Sequence, residues 1–231
     1  MVFDTYNNRI RKTPPASPEM PERPVKPRLA VFGGSFDPVH NGHLFIAGSL
    51  LRQKLTEEVL LVPAGTPPHK QEGLMASPEH RLAMLKLAVE EYPGISVSDI
   101  ELAQESMPAY TINTLETLTR LFRDSDIHFV IGMDSLLDIP NWHRAGELVN
   151  RHSFLVYPRP GFEPPSPAML APHFGPRNAE KLRRSIINLP EMPVSATMIR
   201  ETVSQRQSLC GLVCDSVARY IREHKLYQDH E

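Results

Sequence analysis

Two histidines three residues apart, His40 and His43, follow a glycine pair, Gly33-Gly34, in the run GGSFDPVHNGHL. Paired glycines let a backbone approach a ligand closely and free its φ angles. A helix beginning near Asn41 points its unpaired N–H groups at the same spot, which makes an anion site. At helical spacing both imidazoles reach one bound group, and a phosphate suits all of these donors. Far along the chain, Val194-Ser195-Ala196-Thr197-Met198-Ile199-Arg200 reads as a second helix start. Its hydroxyls at Ser195 and Thr197 stand one turn before the cation of Arg200, as in a capped helix or a phosphate clamp. The spacing is neither that of a Walker A loop nor GxGxxG, which sets kinases and dehydrogenases aside. Zinc would need further ligands that no nearby residue supplies.

These residues need a frame that brings distant segments together, and the chain carries one in a β/α alternation. Leu29 to Phe32 is an apolar run ending at the glycine pair, and His43 to Leu55 has helix-spaced apolar residues. Further strands are expected at 58–63, 95–98, 127–131, 154–157 and 186–189. Helices are expected from Ser77, over 111–122, over 195–203 and over 212–223. Apolar strands separated by helices imply a single Rossmann-like, doubly wound parallel sheet with helices on both faces. Ligands of such sheets sit outside the carboxyl ends of the strands, where both glycine turn and histidines fall.

The 231 residues suffice for one large α/β domain, set here at 28–231. Residues 1–27 are proline-rich, charged and poor in large apolar side chains, so they read as a flexible tail. Pro158 to Pro176 reads as a long surface excursion. With 25 basic and 27 acidic residues, the net charge is −2, which offers no basic excess for nucleic acid. No apolar run approaches a membrane span and no secretory leader is visible, so a cytoplasmic location is expected. Cys210 and Cys214 are the only cysteines and are expected to pack on one helix face. Residue spacing carries no signal for the oligomeric state.

The segment GxFDPxHxGH resembles the signature of the HxGH nucleotidyltransferases, and Val194 to Arg200 is similar to their second signature. Thr66-Pro67-Pro68-His69-Lys70, the pair Tyr110-Thr111 and Gly132-Met133-Asp134 followed by Trp142 narrow the likeness. Together they resemble the nicotinate-nucleotide adenylyltransferases over nearly all of 28–226. That resemblance implies transfer of adenylate from ATP to nicotinate mononucleotide, giving deamido-NAD and pyrophosphate. It implies catalytic roles for His40, His43 and Arg200. ATP would lie on Gly33, Gly34, Ser35, Phe36, His43, Gly132, Asp134, Ser195, Thr197 and Arg200. The acceptor would meet His40, Lys70, Asp134, the Tyr110 and Thr111 amides, and the face of Trp142. Asp37 would brace the loop, since a carboxylate facing phosphates would repel them. Gln104 stands where relatives often carry an arginine.

The acceptor phosphate has a second pKa near ~6 and is mostly dianionic at neutral pH, so the chemistry needs no general base. Mg²⁺ is expected to arrive with the triphosphate, with no dedicated protein ligand. Within the family, the rivals are pantetheine-phosphate adenylyltransferase and a glycerol-phosphate-type cytidylyltransferase. The former usually has threonine or serine at the place of His40 and lacks the aspartate-to-tryptophan segment. A non-catalytic nucleotide sensor would be expected to lose a histidine or Arg200, and this chain retains all three.

Overall fold

A computed structural model of the chain describes residues 26–65, 75–103 and 109–228. The segments carrying Lys70 and Gln104, and most of the proline-rich tail, lie outside the described residues. Pro27 already meets the domain: its carbonyl accepts from the Asp126 amide at 2.8 Å.

The strands β1 (Arg28–Gly34), β2 (Glu58–Pro63), β3 (Ile95–Val97), β4 (Asp126–Gly132) and β5 (Ser153–Tyr157) form one parallel sheet in the order β3-β2-β1-β4-β5. The chain builds outward from β1 to β3, then crosses back to β4 on the other side of β1. That reversal leaves a crevice at the carboxyl ends of β1 and β4, where a ligand fits. The sequence folds this way because consecutive strand residues feed opposite faces. Ala30, Phe32, Val59, Leu61 and Val130 enter one core, while Leu29, Val31, Leu60, Val62, Phe129 and Ile131 enter the other.

Helices α1 (Asn41–Arg52), α2 (Pro78–Val89), α3 (Thr111–Leu121), α4 (Met133–Asp138), α5 (Ala145–Arg151), α6 (Pro167–Arg184), α7 (Ala196–Ser204) and α8 (Asp215–Glu223) cover the sheet. The first core takes Leu50 of α1, Met84 of α2, Ile199 of α7 and Val217 of α8. The second takes Leu115 of α3, Leu148 of α5 and Leu182 of α6. Each such side chain contributes about 1.5–3 kcal/mol when fully buried. The doubly wound reading therefore holds. Among the described residues no helix is long and apolar enough to cross a membrane.

Three local expectations are corrected. The strand expected at 186–189 is a single parallel bridge from Ile186 to Val156, because α6 runs to Arg184 and leaves only a short pairing stretch. The surface excursion to Pro176 gives way to α6 at Pro167. Proline suits a first helical turn, and Gly175, with φ 77°, breaks the helix so that Pro176 restarts it. Cys210 and Cys214 share no helix face. Gly211 turns the chain between them with φ 76°, Cys210 is exposed and Cys214 caps α8.

Candidate active site

A cavity of about 620 Å³ opens at the carboxyl ends of β1 and β4. Gly33, Gly34, Ser35, Phe36, His40, His43, Tyr110, Thr111, Gly132, Asp134, Trp142, Ser195, Thr197 and Arg200 all line it. The tertiary fold thus gathers every proposed site residue that it describes; Lys70 lies outside the described residues. Phe36 lines it from the loop. With φ 47° it turns the loop, while its ring is buried against Phe32 and His43.

The loop from Gly33 to His40 is held from beneath. Asp37 is buried, and its carboxylate accepts from the amides of Met75 at 2.8 Å and Ala76 at 3.1 Å and from the Tyr227 hydroxyl at 2.7 Å. Three donors satisfy a charge that would be costly to bury alone. The expected brace is therefore present, and the carboxylate is spent on protein rather than aimed at a ligand. The buried guanidinium of Arg81 donates to the Ser35 carbonyl at 2.8 Å. Arg200 donates to the Asp37 carbonyl at 2.8 Å and to Thr197 Oγ1 at 3.2 Å, which ties α7 to the loop. Ser195 caps α7 by accepting from the Met198 amide at 3.2 Å.

His40 and His43 stack at 3.6 Å between ring centroids, 23° from parallel. The His40 amide donates to His43 Nδ1 at 3.2 Å. A neutral His43 with an occupied Nδ1 acceptor must carry its proton on Nε2, which makes it a donor. Burial, aided by the Arg159 charge, pushes His40 down to about 4. Burial, His40 and Arg159 hold His43 well below the ordinary imidazole range. Both rings are neutral in the ligand-free protein at neutral pH, and His40 Nδ1 is buried without a partner.

Across the crevice, Gly132 ends β4 and caps α4. A side chain there would collide with the Asp134 carboxylate and the Tyr157 ring. Asp134 pairs with Arg159 through Oδ2 at 2.5 Å, while its Oδ1 is buried and unpartnered, as suits a hydroxyl donor from a ligand. Trp142 is half-buried, its ring T-shaped to Phe129 with centroids 6.3 Å apart and its Nε1 donating to Asp138 at 3.1 Å. Tyr110 and Thr111 open α3, and Tyr110 stacks on His143 at 4.0 Å.

Sequence reasoning passed over Arg159, Glu101 and His143, all of which line the cavity. Arg159 follows β5, so its position at a strand's carboxyl end was the available signal, hidden by its flanking prolines. Glu101 accepts from Thr114 Oγ1 at 2.7 Å and from the Gly65 amide at 3.3 Å, and burial raises its pKa. It fastens α3 to the end of β2, a contact no spacing rule reveals. Among the described residues no group of three or more His, Cys, Asp or Glu converges to hold a metal ion.

The cytidylyltransferase-like family matches residues 31–202. The nicotinate-nucleotide adenylyltransferase of Bacillus subtilis is 34% identical over 203 residues, covering 87% of this chain and 98% of that protein. A probable nicotinate-nucleotide adenylyltransferase of Symbiobacterium thermophilum is 38% identical over 200 residues, covering 87% and 95%. In fold, the chain is similar to the Plasmodium falciparum nicotinic acid mononucleotide adenylyltransferase solved with NaAD. The TM-score is 0.70 at 20% identity, over 87% of this chain and 97% of that one. A match over most of the chain, with relatives aligned along nearly their whole length, decides the matter: the chain belongs to the cytidylyltransferase-like nucleotidyltransferases and, within them, to the nicotinate-nucleotide adenylyltransferases.

Proposed function

We propose that the protein transfers adenylate from ATP to nicotinate mononucleotide, releasing pyrophosphate and forming deamido-NAD, a step of NAD biosynthesis. The observation that carries this reading is the shared cavity. The stacked His40–His43 pair and Arg200 lie on one side of it, and Trp142 and the start of α3 on the other.

In this reading an oxygen of the acceptor's 5′-phosphate attacks the α-phosphorus of ATP. The bond between the α-phosphorus and the α,β-bridging oxygen breaks, and pyrophosphate leaves with the electron pair. The phosphate dianion is already the nucleophile, which leaves positioning and charge stabilisation to the protein. His43 Nε2–H and the amides at the start of α1 serve the reacting phosphates. Neutral rings suit a site that two polyanions must enter, because approaching negative charge draws protons onto them. Arg200, Ser195 and Thr197 hold the leaving β- and γ-phosphates, and Gly33, Gly34, Ser35 and the Phe36 backbone floor the site. Asp134 Oδ1 takes a ribose hydroxyl.

The acceptor's pyridine ring stacks on Trp142, and its carboxylate meets the Tyr110 and Thr111 amides, with His40 and Lys70 toward its phosphate. The described side chains do not make an oxygen cage for a divalent cation, since Asp37, Glu101 and Asp134 Oδ2 are engaged by protein donors. Mg²⁺ would arrive with the triphosphate, retain several waters and neutralise phosphate charge.

Pyrophosphate release is the test, with Mg-ATP and nicotinate mononucleotide, nicotinamide mononucleotide or phosphopantetheine. Nicotinate mononucleotide is expected to be turned over fastest. Preference for phosphopantetheine, or release with none of the three, overturns the reading.

A further inference from the structure

Beyond Glu223, where α8 ends, the chain does not run straight on. Lys225 and Tyr227 both take positive φ, 51° and 61°. A bulky residue in that region is strained, and such strain persists only where its surroundings hold it. The Leu226 amide donates back to the Ile221 carbonyl at 3.0 Å and closes the turn. The outcome is that the Tyr227 ring is buried in the core that holds Phe36, Val39 and Ala76. Its hydroxyl reaches Asp37 Oδ1 at 2.7 Å, across 190 residues of sequence. Burial and the adjacent Asp37 carboxylate raise the phenol pKa, which keeps it a donor. Asp37 is the loop's anchor, with its main-chain carbonyl gripped by Arg200 and its neighbour Ser35 gripped through Arg81.

We propose that Tyr227 is a positioning residue for the adenylyl transfer assigned above: its hydroxyl, acting through Asp37, sets the loop that runs from Gly33 into the start of α1, and with it His43, against the phosphates of ATP. It touches no substrate. The proposal rests on the functional reading only in naming the reaction; its geometric content is the link from chain end to phosphate loop.

Tyr227→Phe keeps the ring and removes the donor. In the full chain, Mg-ATP binding by calorimetry is expected to weaken about five- to tenfold and kcat to fall about tenfold. KM for nicotinate mononucleotide should rise less than the ATP affinity falls, because its ring and carboxylate are assigned to Trp142 and the start of α3 and only its phosphate reaches this loop, through His40. In the unmutated chain, saturating Mg-ATP should shift the NMR signal of a ¹³C-labelled Tyr227 ring, a readout that does not depend on the variant folding. ATP affinity and kcat both within about twofold of the unmutated protein would overturn the proposal. So would an unmoved Tyr227 signal, or a collapse in Tm with both substrates losing equally, which marks a packing role. Absence of pyrophosphate release by the unmutated chain would sink the acceptor reading alone, and the ATP affinities would still decide the role of Tyr227.

Discussion

The two walls of the cavity are built differently. On the wall proposed for the phosphates, Asp37, His40 and Arg81 are almost fully buried, and the loop is tied to α2, α7 and the Tyr227 segment by hydrogen bonds of 2.7–3.1 Å. The wall proposed for the acceptor is made of half-exposed rings: Trp142 sits T-shaped to Phe129, and Tyr110 leans on the exposed His143. The contrast has a chemical reason. Charge developing at a phosphorus must meet donors already in place, since reorganising them during reaction costs rate. Recognising a flat ring needs only a face of the right size, and such a face tolerates open surroundings. Damage to the first wall should therefore appear in turnover, and damage to the second in the affinity of one substrate.

The strongest way to break that contrast is His43→Ala. Losing a pre-set donor of this kind is expected to lower kcat by roughly 10²–10³-fold, with the KM for ATP changing far less. Steady-state kinetics with both substrates checks it. Near-normal turnover would show that the braced wall is scaffolding rather than machinery.

Trp142→Ala probes the other wall. Loss of the stacking face should raise KM for nicotinate mononucleotide by roughly one to two orders of magnitude and leave that for ATP nearly unchanged. Because the indole is half-buried, Tm should fall only modestly. Equal losses for both substrates, with a large drop in Tm, would make Trp142 a packing residue and erase the distinction between the walls.

A smaller effect sharpens the comparison through pH. His40 is held near 4 in the folded protein against an ordinary 6.5. Between those values the unfolded chain binds a proton that the folded one refuses, so stability rises with pH across the window and falls as pH drops through it. Tm of the ligand-free protein should therefore decline by several degrees from about pH 6.5 to about pH 4. His40→Gln should flatten part of that decline. A slope unchanged by the substitution would show that the burial of the histidine pair does not govern acid stability.

Much of the phosphate wall was legible because its residues are close in sequence. Gly33 to His43 is one strand end, one turn and one helix start, and local rules for glycines, helix N-termini and helical spacing read it directly. Ser195 to Arg200 was legible for the same reason, and so were the strands with uninterrupted apolar runs. Illegible were groups whose meaning lies in distant partners. Arg159 looks like a charge among prolines until β5 places it beside Asp134. Glu101 looks like a surface acid until it meets Gly65 and Thr114. The helical part of 167–184 was hidden because proline density argues for extended chain, whereas Pro167 and Pro176 sit where new helical turns begin.

By itself, the sequence determined the β/α alternation, the glycine turn into α1 and the kinds of side chain available there, because each depends on neighbours within a few residues. Only the tertiary structure decided that His40 and His43 are buried deeply enough to be neutral, that Arg159 shares their cavity, and that Tyr227 closes onto Asp37 from the far end of the chain. Burial, charge proximity and long-range hydrogen bonds are properties of assembled surfaces, and no single segment carries them before the sheet and its two helical layers come together.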